Sequence, residues 1–142
     1  MSTSDLVIAL DHPTRRVDTQ RLDRLVRRVL DGEGIAWHYV GVILTDHATV
    51  LDLNRAYLHH DYLTDVLSFN LSGPDDALLT GEVYVDLDTA AERHAEFGVT
   101  FEEEVFRYVV HGLLHLAGYE DATPAEKAAM HALEDRYLAG SV

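Results

Sequence analysis

The stretch Thr100–Asp121, TFEEEVFRYVVHGLLHLAGYED, sets the architecture that the rest of the chain must accommodate. Thr100 and Glu103 form a capping-box pair at its start. Behind them, Val109, Val110, Leu113, Leu114 and Leu116 cover nearly every side of a helix. A helix that is apolar all round is a buried one, so other elements must be layered about it. Set into that run are His111 and His115. At i and i+4 they stand one turn apart on one face, and a buried imidazole without a partner costs stability. One shared cation satisfies both rings. Gly118 then tolerates the left-handed conformation that ends a helix, and the returning chain brings Asp121 under the histidines as an oxygen ligand. His111, His115 and Asp121 are therefore the candidate metal ligands, with one position left for water.

Outward from this helix the chain alternates strands with helices. Residues 4–11, SDLVIALD, form a first strand stopped by Pro13. Asp18 caps a helix whose stripe is Leu22, Leu25, Val26, Val29 and Leu30, ended by Gly32 and Gly34. Residues 37–44, WHYVGVIL, are continuously apolar, which predicts a second strand buried on both faces. Asp46 caps a second helix with Val50, Leu51, Asn54, Tyr57 and Leu58 turned inward. Thr64-Asp65 leads into a third strand, VLSFNL, and Gly73-Pro74-Asp75-Asp76 marks the strongest loop. A fourth strand spans residues 81–87 with Val83, Val85 and Leu87 on one face. Residues 88–97 make a short helix ended by Gly98, and Thr123, Pro124 and Glu126 start a last one to about Leu138. Four strands and about five helices predict an α+β or α/β domain with one small mixed sheet. Strand order is left open.

Composition bounds the function. A chain of 142 residues with 47% hydrophobic content suits one domain, residues 1–142, around one core. It has no cysteine, which removes disulfides and thiolate ligands and fits a reducing cytoplasm. No basic leader precedes an apolar stretch, and no apolar run reaches about 18 residues, so neither export nor membrane insertion is expected. With 25 acidic and 11 basic residues, the formal charge of −14 opposes broad electrostatic capture of nucleic acid. Six of the basic residues, Arg15, Arg16, Arg21, Arg24, Arg27 and Arg28, nevertheless fall in one short stretch. They form either a solvated helix face or an RNA-facing strip. Lys127 is the one lysine amid the acid excess, a balance that suits a surface adapted to high salt.

The histidine spacing resembles that of zincin metalloproteases, HExxHxxGxx followed by His or Asp. Their second position is the glutamate that serves as general base; here it is Gly112, which can take no proton. Peptide hydrolysis by that route is not expected. A zinc-type ion with an open position can instead activate water against another electrophile such as a phosphodiester phosphorus.

The same residues closely resemble the bacterial YbeY family, whose signature runs HGxLHLxGYDH before a helix carrying Met and Glu, here Met130 and Glu134. Upstream, LNRAYLHHDYLTDVLSF (Leu53–Phe69) is similar to the family's LNxxYRxxxxPTDVLSF, and Gly81-Glu82 stands where the family has Gly-Asp. The likeness covers roughly residues 40–138.

The resemblance implies a zinc-dependent endoribonuclease that cuts single-stranded RNA in the cytoplasm. It further implies maturation of ribosomal RNA, at the 3′ end of the small-subunit RNA, and quality control on the ribosomal small subunit. DNA is not an expected substrate. His111, Glu82 and Asp65 are the candidate catalytic residues, and Glu134 is a further candidate to orient a ligand. Three departures stand out: Asp121 replaces the family's third histidine with Glu120 before it, Leu58 replaces an arginine proposed to handle phosphate, and Leu63 replaces a proline. An anionic third ligand should raise the pKa of bound water and widen metal choice toward harder ions. His59 and His60 could stand in for the arginine, though an unperturbed imidazole with a pKa of about 6.5 is mostly neutral at neutral pH. Two alternatives remain. One is a metal-stabilised, ribosome-associated binding module with little catalysis, closed by a fourth ligand such as His94 or His131. The other, more distant, is a zincin-like protease without its base.

Overall fold

A computed structural model describes residues 4–58 and 65–139. Its elements are β1 (Asp5–Leu10), α1 (Thr19–Gly32), β2 (Trp37–Thr45), α2 (His47–Leu58), β3 (Val66–Asn70), β4 (Leu79–Asp86), α3 (Leu87–Arg93), α4 (Phe101–Leu116) and α5 (Pro124–Ala139), with a 3₁₀ turn at His94–Phe97. The sheet order is β1-β2-β4-β3. β1, β2 and β4 are parallel, and β3 lies antiparallel on β4. The fold is α+β with a four-stranded mixed sheet and five helices.

One face of the sheet carries the core. Val40, Val42 and Leu44 of β2 and Val83 and Val85 of β4 are fully buried there, against Leu113 and Leu114 of α4 and Leu25 and Val29 of α1. α4 packs on β3 and β4, flanked by α1 and α5. Gly112 makes the contact close: a Cβ there would meet Val83 Cγ1 at 2.5 Å. Ser68 of β3 donates to the Gly112 carbonyl at 2.9 Å. The position that holds glutamate in a zincin is thus the point where this helix touches its sheet.

The other face is more open. Tyr57 of α2, Phe69 of β3 and Tyr84 of β4 form a chain of edge-to-face rings, with centroids 6.0 and 5.7 Å apart. β2 is fully buried on the core face; on the opposite face Gly41 and Thr45 are buried, while Tyr39 and Ile43 are half-buried. β4 also differs from expectation at both ends. It begins at Leu79 because Ser72 and Thr80 exchange hydrogen bonds across the hairpin. It stops at Asp86 because that carboxylate caps α3, accepting from the Thr89 amide at 2.9 Å. Leu87 is therefore the first helical residue rather than the last of the strand.

The arginine-rich stretch is largely engaged within the protein. Arg15 pairs with Asp88, Arg21 with Glu102 and Arg27 with Asp23. Arg16 donates to the His12 and Arg15 carbonyls, and Arg28 to the Tyr137 carbonyl. The Arg21 and Arg28 contacts pin α1 to α4 and α5, while those of Arg16 and Arg27 are local.

Candidate metal centre

α4 carries both histidines because its cap, apolar surface and terminus act together. The capping box at Thr100 and Glu103 is formed in both directions. At the other end Gly118 adopts φ +104°, with the Gly118 amide bonded to the His115 carbonyl and the Tyr119 amide to the Leu114 carbonyl, each at 3.0 Å. This Schellman closure reverses the chain. Asp121 then lies beside the helix end, its Oδ2 3.4 Å from His111 Nε2 and 3.6 Å from His115 Nε2. The two Nε2 atoms are 3.0 Å apart.

Hydrogen bonds on the far side of each ring fix which nitrogen points inward. His111 Nδ1–H donates to Glu134 Oε2 at 2.7 Å, and His115 Nδ1–H donates to the Tyr119 carbonyl at 3.0 Å. With both Nδ1 atoms bearing hydrogen, each neutral ring presents a bare lone pair at Nε2. Two lone pairs and a carboxylate oxygen converge with no donor among them. Ligands around a tetrahedral zinc at about 2.0–2.1 Å would sit roughly 3.3 Å apart, and the observed spacings of 3.0, 3.4 and 3.6 Å bracket that value. The residues present fit a divalent cation.

Outer partners hold this set in place. Glu134, buried on α5, is gripped by Arg107 Nη1 at 3.0 Å, whose Nη2 reaches Asp135 at 2.6 Å. Tyr119 is tied through its hydroxyl to Glu33 at 2.7 Å, and Tyr137 donates to the same carboxylate. Arg107, Glu33 and Tyr119 escape a reading of the sequence because their partners lie 27 to 86 positions away. Only the place of Arg107 one helical turn before His111 hints at its role.

The remaining candidates scatter. Glu82 is not brought to the histidines: it alternates with Gly81 and Val83, which face α4, and instead accepts from the Tyr84 hydroxyl at 3.2 Å on the opposite face of the sheet. Strand alternation forbids neighbours from sharing a face. Asp65 stands just before β3, 3.5 Å from Arg93, near enough for its charge to be coupled to His111 but without a hydrogen bond to it. Burial pushes its carboxyl above the usual range, against the pull of Arg93. His94 bonds the Val99 carbonyl, and His131 lies against Arg107 and Asp135. Among the described residues, the group able to hold a metal is His111, His115 and Asp121.

A family model described as endoribonuclease YbeY matches residues 8–141. The chain belongs to the YbeY family. Relatives described as endoribonuclease YbeY include one from Salinibacter ruber, 53% identical over 94% of this chain and 89% of that one. Another, from Chlorobium phaeobacteroides, is 36% identical over 92% and 94% of the two chains. The solution structure of TM1509 from Thermotoga maritima is similar with a TM-score of 0.62 and 29% identity, covering 94% of this chain and 88% of that one. Against the YbeY signature, Asp121 occupies the third ligand position, with its oxygen directed at both imidazoles. Leu58, where the family has arginine, closes α2. His59, His60, Leu63 and Thr64 lie outside the described residues.

Proposed function

We propose that this chain is a metal-dependent, single-domain endoribonuclease of the cytoplasm that cuts single-stranded RNA. Its work would be ribosomal RNA maturation at the 3′ end of the small-subunit RNA and quality control on that subunit, with zinc as the resident ion. Family membership supports the RNA substrate. The observation that carries the metal chemistry is the convergence of His111 Nε2, His115 Nε2 and Asp121 Oδ2, an all-acceptor set that calls for a cation.

A divalent ion bound there supplies water of lowered pKa and a Lewis acid for a phosphoryl oxygen. The chain's own groups do the rest. Glu134 fixes the His111 ring by holding the proton on Nδ1, and the Tyr119 carbonyl does the same for His115. Asp121 brings negative charge to the set, which moves the activity optimum toward higher pH than three imidazoles would give. Asp65, whose carboxyl burial pushes above the usual range against the pull of Arg93, lies within electrostatic reach of His111. Gly112 supplies no base, which sets peptide hydrolysis aside. Three protein ligands leave a place for solvent, favouring an enzyme over a closed structural site.

The test offers purified protein a labelled single-stranded RNA and casein in parallel, with and without chelator. RNA cleavage that chelator stops, zinc restores and His115→Ala abolishes, in a variant that retains its circular dichroism, is the expected result. Cleavage at the wild-type rate by folded His115→Ala would overturn the proposal.

A further inference from the structure

A second polar site lies at the carboxyl-terminal edge of the parallel strands. Leu44 of β2 pairs with Leu10 of β1 and with Val85 of β4, so the three strands end level. Val66 opens β3 opposite Val85, which brings Asp65 to the same edge. Open parallel sheets bind ligands in the crevice outside such strand ends. Here that crevice is a pocket of about 640 Å³ lined by Arg15, His47, Asp65, Asp88, Glu92 and Arg93, among others.

Two carboxylates, Asp88 in its lining and Asp86 behind His47, are engaged inside the protein. Asp86, completely buried, accepts from His47 Nδ1 at 2.6 Å and from the Thr89 amide and hydroxyl at 2.9 and 2.8 Å. Asp88 accepts from His12 Nε2 at 2.8 Å, Arg15 Nε at 2.9 Å and the His47 amide at 3.0 Å. Burial pushes Asp88 up, but these bonds outweigh it and hold it well below the usual carboxylate range. The bond to Asp86 raises His47 in turn.

What remains facing the pocket is a set of donors. Arg15 uses Nε on Asp88, which leaves its two terminal nitrogens. His47 uses Nδ1 on Asp86, which leaves Nε2 as a donor in the imidazolium form that the Asp86 bond favours. Arg93 reaches Asp65 and Glu96 at 3.5 and 3.4 Å and lies over the Phe97 ring. Asp65, itself raised by burial and facing Arg93, and Glu92 are the acids left at the rim. Two guanidinium groups and a preoriented imidazole match the oxygens of a phosphodiester.

We propose that this pocket is a phosphate subsite for single-stranded RNA, with Arg15, Arg93 and His47 Nε2 as the donors to one backbone phosphate. It rests on the reading of RNA as substrate. It also answers the absence of the family arginine at position 58, since the cations come from the strand ends instead. Asp65 links the two sites: it borders the pocket and lies within electrostatic reach of His111. A strand threaded along this edge would place a neighbouring phosphate toward the metal centre.

The experiment measures binding apart from cleavage, by fluorescence anisotropy with a labelled 2′-O-methyl single-stranded oligonucleotide whose integrity is checked on a gel. Arg15→Gln and Arg93→Gln should each weaken binding about 5–10-fold at low salt and reduce the log–log salt slope by about 0.7, the value of one phosphate contact on a single strand. Arg24→Gln, which removes the same charge from α1 outside the pocket, is the control and should change affinity less than about twofold. In parallel, the His47 imidazole resonances should move on adding the oligonucleotide but not on adding inorganic phosphate at the same phosphate concentration. Pocket variants no weaker than Arg24→Gln, or a His47 response to free phosphate alone, would overturn the proposal. Should the wild type bind RNA through this pocket but cleave none, the nuclease reading fails and the subsite stands.

Discussion

Lone pairs 3.0 Å apart repel unless something positive lies between them, and His111 and His115 are held in that arrangement by acceptors behind both rings. Glu134 is the stronger of these holds because it is charged, buried and anchored by Arg107. Glu134→Gln keeps the shape and removes the charge, so zinc affinity should fall by about 10–100-fold with the fold intact. Titration against a competing chromophoric chelator measures this, and unchanged affinity would show that Glu134 only packs. The candidate ligands could be brought together from the sequence because all three fall within eleven residues and a helix repeat relates two of them. Glu134 was readable as a candidate to orient a ligand, but not which imidazole it holds, since its bond to His111 spans 23 positions. For Glu82, Val83 and Val85 mark the buried face of β4, and the parity of that pattern places Glu82 away from the helix that packs there.

At the level of elements, α4 and the sheet define each other through one contact. A Cβ at position 112 would lie 2.5 Å from Cγ1 of the fully buried Val83, a clash, and 3.1 Å from Ser68 Oγ and Val66 Cγ2, each of which would have to give by a few tenths of an ångström. Gly112→Ala gains about 1 kcal/mol of helix propensity but forces overpacking that costs about 1–3 kcal/mol. The second effect wins, because β4 is central in the sheet and cannot shift without breaking its pairing to β2. Urea denaturation should show net destabilisation, and Val83→Ala in the same chain should recover part of it, a coupling that independent sites would not show. A Gly112→Ala protein more stable than wild type would refute the close contact. Element identities were legible from caps and periodicity, as at Asp18, Thr100 and Gly118. Boundaries were less so where one residue type serves two roles: Asp86 reads as a strand end and acts as a helix cap.

On the scale of the whole molecule, strand order β1-β2-β4-β3 was beyond the sequence because it depends on which helix faces fill which side of the sheet, a property of the assembled core. Net charge, by contrast, is read directly. At −14 the folded chain concentrates like charges that the unfolded chain spreads apart, so self-repulsion lowers stability. Added salt screens this over about 10 Å at 0.1 M and 3 Å at 1 M. The opposing effect is the weakening of surface ion pairs such as Arg27–Asp23 and Arg93–Glu96, which are exposed and each contribute at most about 1 kcal/mol. Eleven basic residues cannot neutralise twenty-five acidic ones however well they pair, so repulsion dominates. Melting temperature should therefore rise by about 3–8 °C between low salt and molar potassium chloride, the shift expected for roughly 1–2 kcal/mol in a chain of this size. Chloride is the informative salt, since sulfate would also strengthen apolar burial. A melting temperature that falls across that range would mean that the arginine pairs pinning α1, rather than the acid excess, govern how the molecule responds to its ionic surroundings.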